Sequence, residues 1–278
     1  MSWRVGVSTG AWIGHDIRAA IDAIAAAGFH AAELGTPPGH FDPWSVDQIR
    51  MLATRLPALQ IAPVSIHAPF GGLLDLSDPN PHHRHAAVGG ILVAASALRE
   101  LGGRIVVAHT TDVPRDGQDV GRRLADCATA LSVLHRSCAQ MQMTLAIENP
   151  LPHLIGGHPD EFATLLERVG ADARVCLDTS HATLGPHLER FLDVTEGRIV
   201  HVHANDHRGD RDEHLAPGSG VVPWERIGER LAAAGFDGWL ILELNYETST
   251  APGGLVRAGD ELVRRMGALP AGDRRRAS

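Results

Sequence analysis

Short apolar runs and amphipathic segments alternate along the whole chain. Trp3–Ser8 is a β-prone run, and Asp16–Ala27 follows with apolar residues at helical spacing and a stop at Gly28. The pattern then repeats. Phe29–Leu34 predicts a second strand, followed by a Pro/Gly loop (Gly35–Pro43) and a helix from Ser45, an N-cap, to Leu56. Ile61–Ile66 leads to His67, with a helix over His83–Leu101, and Arg104–Ala108 leads to His109, with a helix over Asp116–Met141. Met143–Ile147 leads to Glu148 and precedes a helix at Pro159–Val169. Ala173–Leu177 leads to Asp178 and His181, with a weaker helix over Leu184–Val194. Arg198–Val202 leads to His203 and a helix at Pro223–Ala234, and Gly238–Leu242 leads to Glu243 before a last helix at Gly254–Met266.

Strand–helix units in strict alternation, with no composition break between them, predict an α/β fold: a single (β/α)8 barrel over residues 1–267. Residues 268–278, with the basic run Arg274–Arg276, are expected to form a flexible C-terminal tail. The rival architecture is a doubly wound open sheet. It is disfavoured because the first turn lacks a Gly-x-Gly-x-x-Gly fingerprint. At 278 residues, 44% of them hydrophobic, the chain can bury one large core.

Composition removes several chemistries. The sequence has no lysine, so all 25 basic residues are arginines, which excludes Schiff-base aldolases, pyridoxal phosphate enzymes and Walker-type phosphate loops. The net charge of −8 argues against a non-specific nucleic-acid binder, whose affinity comes from clustered positive charge. Cys127, Cys138 and Cys176 form no Cys-x-x-Cys pair and read as core residues in a reducing compartment. With no membrane-span-length apolar stretch and no leader pattern in Met1–Gly10, the expectation is a cytoplasmic protein that does not enter a membrane.

The chemistry converges on one end of the predicted barrel. His67, His109, Glu148, Asp178, His203 and Glu243 each follow a different strand, where βα loops build barrel active sites. His181 follows Asp178 by three residues and can turn back to the same centre. Asp212 and His214 lie in the loop after strand seven, two residues apart on one side of an extended backbone. Singly, each reads as a hydrogen-bonded loop residue; together they read as ligands. Nitrogen and carboxylate donors without cysteine suit zinc, manganese or iron. Nine candidates exceed the needs of one ion, so either several ions bind or some of the residues support ligands and contact substrate. Gly6-Val7-Ser8-Thr9-Gly10 matches the nucleophile-elbow pattern, but no helix begins until about Asp16, so Ser8 reads as a lining residue. Trp12, Trp44 and Phe70 read either as packing residues or as an apolar wall for a sugar face.

At these motifs the chain resembles the xylose isomerase-like TIM-barrel superfamily: S-I-H-A-P-F (Ser65–Phe70), A-H (Ala108–His109), A-I-E-N (Ala146–Asn149), C-L-D-T-S-H-A (Cys176–Ala182), H-V-H-A-N-D (His201–Asp206), D-E-H-L-A-P-G-S-G (Asp212–Gly220) and L-E-L (Leu242–Leu244). In the sugar isomerase and epimerase members, the resemblance implies one divalent metal on Glu148, Asp178, His203 and Glu243. Glu148 and Glu243 would then move a proton through a metal-stabilised enediolate. In endonuclease IV-type members it implies a three-zinc cluster on His67, His109, Glu148, Asp178, His181, His203, Asp212, His214 and Glu243, suited to phosphoester hydrolysis. The chain departs from xylose isomerases proper in lacking their catalytic lysine, and neither Arg208 nor Arg211 can be assigned to the substrate-binding arginine of ketose epimerases.

The expected function is therefore a divalent-metal-dependent isomerase or epimerase of a sugar, polyol or sugar phosphate. The alternative is an endonuclease IV-like phosphoesterase acting on a small phosphorylated metabolite rather than on abasic DNA; a lyase and a non-catalytic binding barrel stand behind these. The expected cofactor is zinc or manganese, one ion for the isomerase and two or three for the phosphoesterase. The expected partner is a small-molecule substrate, and not nucleic acid or membrane, with a homo-oligomer left open.

Overall fold

The computed structural model describes residues 3–267; the tail expected at 268–278 lies outside the described residues. Eight parallel strands close into a barrel in sequence order: β1 (Arg4–Ser8), β2 (Ala31–Gly35), β3 (Ala62–His67), β4 (Ile105–His109), β5 (Thr144–Glu148), β6 (Arg174–Asp178), β7 (Ile199–Ala204) and β8 (Trp239–Leu242), with β8 pairing back onto β1. Between them run α1 (Ile17–Ala26), α2 (Val46–Ala58), α3 (Pro81–Glu100), α4 (Val120–Gln140) and α5 (Pro159–Val169). The second half of the chain adds α6 (Thr179–Thr183), α7 (Leu188–Val194), α8 (Trp224–Ala233), α9 (Tyr246–Thr250) and α10 (Gly254–Met266). This is the predicted (β/α)8 barrel. Among the described residues, no helix is long and apolar enough to cross a membrane.

Local chemistry starts the helices where the sequence signals them. Asp16, Ser45, Asn80 and Asp119 each accept a hydrogen bond from a backbone amide of the first turn of α1, α2, α3 and α4. The helices turn apolar faces inward onto the outer face of the sheet, and Trp224, Phe162 and Phe191 are among the largest side chains sealed there. Each such burial stabilises the fold by about 1.5–3 kcal/mol.

Three local differences from the sequence reading matter. The weak helix expected over Leu184–Val194 is shortened to α7 (Leu188–Val194), and an unexpected short helix, α6, precedes it and starts directly at the end of β6. Asp178 is its N-cap, with Oδ1 accepting from His181 N at 2.8 Å, so one side chain both ends the strand and orients the helix carrying His181. A further short helix, α9, follows β8. The strand β1 runs into a 3-10 turn, Thr9–Trp12, whose Gly10 amide donates to Ser8 Oγ at 3.3 Å. Ser8 is thus a capping residue of that turn, and the strand–turn–helix geometry of a nucleophile elbow is absent.

Strand register sets the height of the site. Gly35 lies level with His67, His109 with Glu148, and Asp178 with His203. Because alternate strand residues face the same side, the inward positions below these form the barrel's filling, where Val107, Ala146 and Cys176 make a small apolar layer. Glu33 and His201 also lie buried below the ring.

Candidate metal centre

The inward residues at the C-terminal mouth form one connected polar cluster. His203 Nδ1 lies 3.2 Å from Glu148 Oε1 and 3.2 Å from Glu243 Oε2. Glu148, Asp178, His203 and Glu243 each offer one ligand atom within 4.8 Å of the others'. His67 Nε2 and His109 Nε2 approach Glu148 Oε2 at 3.4 and 3.1 Å. On the other side, Asp212 Oδ2 is 3.3 Å from His181 Nε2 and 2.9 Å from His214 Nε2. All nine residues predicted from the sequence therefore meet at one mouth, as a buried central quartet flanked by a His67–His109 pair and an Asp212–His181–His214 group.

The imidazoles are held as ligands are held. His67, His181 and His214 place Nδ1 against backbone carbonyls, of Ala68 at 3.2 Å, Asn149 at 2.9 Å and Glu243 at 2.9 Å. Donation from Nδ1–H in each case leaves Nε2 turned toward the carboxylates, the orientation that a hydrogen bond from the remote nitrogen gives to metal-bound histidines. His214 reaches its position with φ of 48°, a left-handed conformation in a non-glycine residue. The antiparallel bridge between Asp206 and Leu215, hydrogen-bonded in both directions at 2.9 Å, fixes the loop around it.

Electrostatics shows why the cluster fits a cation. Four carboxylates crowd into a largely buried space, and in the metal-free protein they perturb one another. Burial, together with Asp212, Glu243 and Glu148, pushes Asp178 up to about 6, against the pull of His181. Burial disfavours charge on His181 and His214, yet the surrounding carboxylates lift both to about 10. Burial also opposes ionisation of Glu148, but His109 and His203 hold it well below the ordinary carboxylate range. Imidazolium ions thus supply the positive charge that the carboxylates demand. A divalent ion would supply the same charge with the histidines as neutral ligands, and the buried Glu148 Oε2, which has no hydrogen-bond partner, would gain one. The donor set of imidazole and carboxylate groups suits zinc or manganese.

Several residues of the cluster went unremarked in the sequence reading. Asn149 is the reciprocal partner of the Asp178 backbone, accepting from Asp178 N at 2.8 Å and donating to Asp178 O at 3.1 Å. Asn205 Nδ2 donates to Asp178 Oδ2 at 2.8 Å. Glu33, Ser65 and His201 form a sealed layer beneath His203. A signal for them existed: His201 precedes His203 by two in a strand, and Glu33 interrupts an apolar strand, so period two places each inside the barrel.

Above the ring opens a cavity of about 1130 Å³. One side is the ligand ring; the other is apolar, with Ile13, Phe70, Leu74, Leu151, Leu154 and Tyr246. Phe70 stacks on His109 with ring centroids 3.9 Å apart. Of the three aromatics named from the sequence, only Phe70 lines this space: Trp12 is core, and the exposed Trp44 ring points toward Gly90 on α3. Among the described residues, no arginine lines the cavity. Arg208 instead pairs with Glu213 at 2.7 Å, and Arg211 is 80% exposed.

A closed parallel barrel with a convergent histidine–carboxylate ring at its C-terminal mouth defines a TIM barrel whose mouth offers a group of residues that could hold a metal ion. The chain belongs to the xylose isomerase-like TIM barrel family, whose model matches residues 21–266. It is 24% identical over 252 residues to an uncharacterized protein of Methanocaldococcus jannaschii, covering 87% of this chain and 84% of that one. Among solved structures, it superposes on a D-tagatose 3-epimerase-like protein with a TM-score of 0.83 at 23% identity, covering 95% of this chain and 97% of the other. A Thermus thermophilus protein from a crystal soaked with ZnCl2 matches with a TM-score of 0.71 at 22% identity, over 96% of this chain and 100% of its own.

Proposed function

We propose that the protein is a divalent-metal-dependent isomerase or epimerase of an unphosphorylated sugar or polyol. The observation that carries this reading is the quartet Glu148, Asp178, His203 and Glu243, gathered within 4.8 Å at the base of a cavity with no arginine among its described lining residues. These four residues would hold the ion, which supplies Lewis acidity to a carbonyl and its neighbouring hydroxyl. Glu148 and Glu243 reach the same histidine nitrogen from separate strands, so they can serve as the proton-removing and proton-returning groups for one carbon. Phe70, Leu151 and Tyr246 exclude water from one face of the substrate, and the acidic ring disfavours a phosphorylated one. The likeness to a D-tagatose 3-epimerase-like protein is consistent with this chemistry and supports the fold on which it rests.

A second reading is favoured by a separate observation. The His67–His109 pair and the Asp212–His181–His214 group lie where further ions would complete a polynuclear cluster, as a phosphoesterase of the endonuclease IV type would use. One experiment separates the two. Zinc- or manganese-loaded protein is incubated in D2O with free ketoses and with a phosphodiester. The isomerase reading expects deuterium at the carbon beside the ketose carbonyl, and Glu148→Gln should slow that uptake by about 10²–10⁴-fold. Phosphodiester cleavage with no uptake from any ketose would move the assignment to the phosphoesterase.

A further inference from the structure

Glu33 stands on β2, below the ring, fully sealed from solvent. Its Oε2 accepts from Ser65 Oγ at 2.9 Å and lies 2.9 Å from His201 Nε2. Its Oε1 lies in ion-pair contact 3.0 Å from His203 Nε2, and each of these two buried atoms has no hydrogen-bond partner, so the other is the charged group it faces. An ionised carboxylate in such a place is costly in desolvation, and a TIM barrel is normally filled there by branched apolar side chains. Three of the four outer histidines, His67, His181 and His214, are by contrast oriented by neutral backbone carbonyls. Only His203, the one imidazole of the central quartet, has a charged group behind it.

We propose that Glu33 is a positioning residue for the metal and acts through His203. Its carboxylate keeps the His203 proton on Nε2, which leaves the Nδ1 lone pair facing Glu148, Asp178 and Glu243. It also makes the imidazole a more basic donor. Ser65 and His201 hold Glu33 itself, bracketing Oε2 so that Oε1 is turned to His203. A glutamine in the same place removes the charge behind His203, and with its NH2 at the Oε1 position it favours the His203 tautomer with the proton on Nδ1, where it blocks ligation. The inference rests on the metal-binding part of the function proposed above and is independent of which reaction the centre catalyses.

The test is metal binding, not turnover. Zinc and cobalt affinities of the whole protein are measured by chelator competition for the parent, Glu33→Gln, Glu33→Asp, His203→Gln and the Glu33→Gln/His203→Gln double variant. Unfolding of each metal-free form is recorded alongside. Glu33→Gln should weaken the affinity by about 10–100-fold and alter the visible spectrum of bound cobalt, while its metal-free form unfolds no earlier than the parent. Glu33→Asp, which keeps the charge, should recover part of the affinity, and in the His203→Gln background Glu33→Gln should add no further loss. Unchanged affinity and cobalt spectrum in Glu33→Gln would overturn the assignment. So would a loss of metal-free stability that accounts for the whole effect, or additive losses in the double variant. A parent protein that binds neither ion, or whose binding survives Asp178→Ala, would instead remove the metal centre itself.

Discussion

The carboxylate of Asp206 accepts the indole N–H of Trp224 at 3.2 Å, and the same side chain accepts backbone N–H groups from His207, Gly218, Gly220 and Val222 at 2.9–3.1 Å. One buried side chain thereby closes the loop that carries Asp212 and His214 and ties it to the first residue of α8. The closure depends on Gly220, where an added Cβ would lie 2.1 Å from the carbonyl oxygen of His207. Replacing Asp206 by Ala leaves several donors without an acceptor. We expect a stability loss of about 3 kcal/mol or more by denaturant unfolding. A change within about 0.5 kcal/mol, the range of an ordinary surface substitution, would show that the loop does not depend on this carboxylate.

Metal content separates the central quartet from its flanks. Elemental analysis of protein purified without chelator should find close to one ion per chain if the quartet works alone. Asp178→Ala should weaken that ion by more than about 100-fold, the upper end for outer-shell partners. Two or three zinc ions per chain, falling on His67→Ala or His214→Ala, would establish the polynuclear centre and with it the second reading.

The metal-free protein should lose stability on the alkaline side. His181 and His214 are lifted from 6.5 to about 10 by the carboxylates around them, against burial. Between these values the folded chain holds protons that the unfolded chain has released, so stability is fully present below about pH 6.5 and drains away as pH rises toward 10. Melting temperatures of chelator-treated protein across this window check the sign. Saturating zinc should flatten the dependence, because coordinated imidazoles carry no extra proton. A metal-free melting temperature that rises through this window would contradict the electrostatic account of the cluster.

The three cysteines, expected as core residues, are all buried and free. Burial pushes Cys138 up to about 11 and raises Cys127 and Cys176 further. In the native protein at about pH 8 we expect negligible reaction with a thiol reagent, and full reaction after unfolding. Rapid labelling of Cys176 would mean that the layer under the histidine–carboxylate ring opens to solvent.

The barrel was legible in the sequence because strands buried on both faces and amphipathic helices leave different periodicities, and each repeats eight times around the barrel. The placement of His67, His109, Glu148, Asp178, His203 and Glu243 at the mouth was legible for the same reason: a polar residue at the end of an apolar strand must stand there, whichever helix follows. Period two also carries the signal that places Glu33 and His201 inward, though the sequence reading did not draw it, and it carries nothing of their use. That use depends on β2, β3 and β7 meeting across the interior, where Oε1 of Glu33 comes within 3.0 Å of a histidine 170 positions away in the chain. The role of Asp178 as a helix cap required the short helix α6, which five residues cannot announce by propensity. The sequence by itself determined which residues could be ligands. Only the closed barrel decided which nitrogen of His67, His181 and His214 faces the centre, because that choice belongs to the backbone carbonyl on the ring's other side.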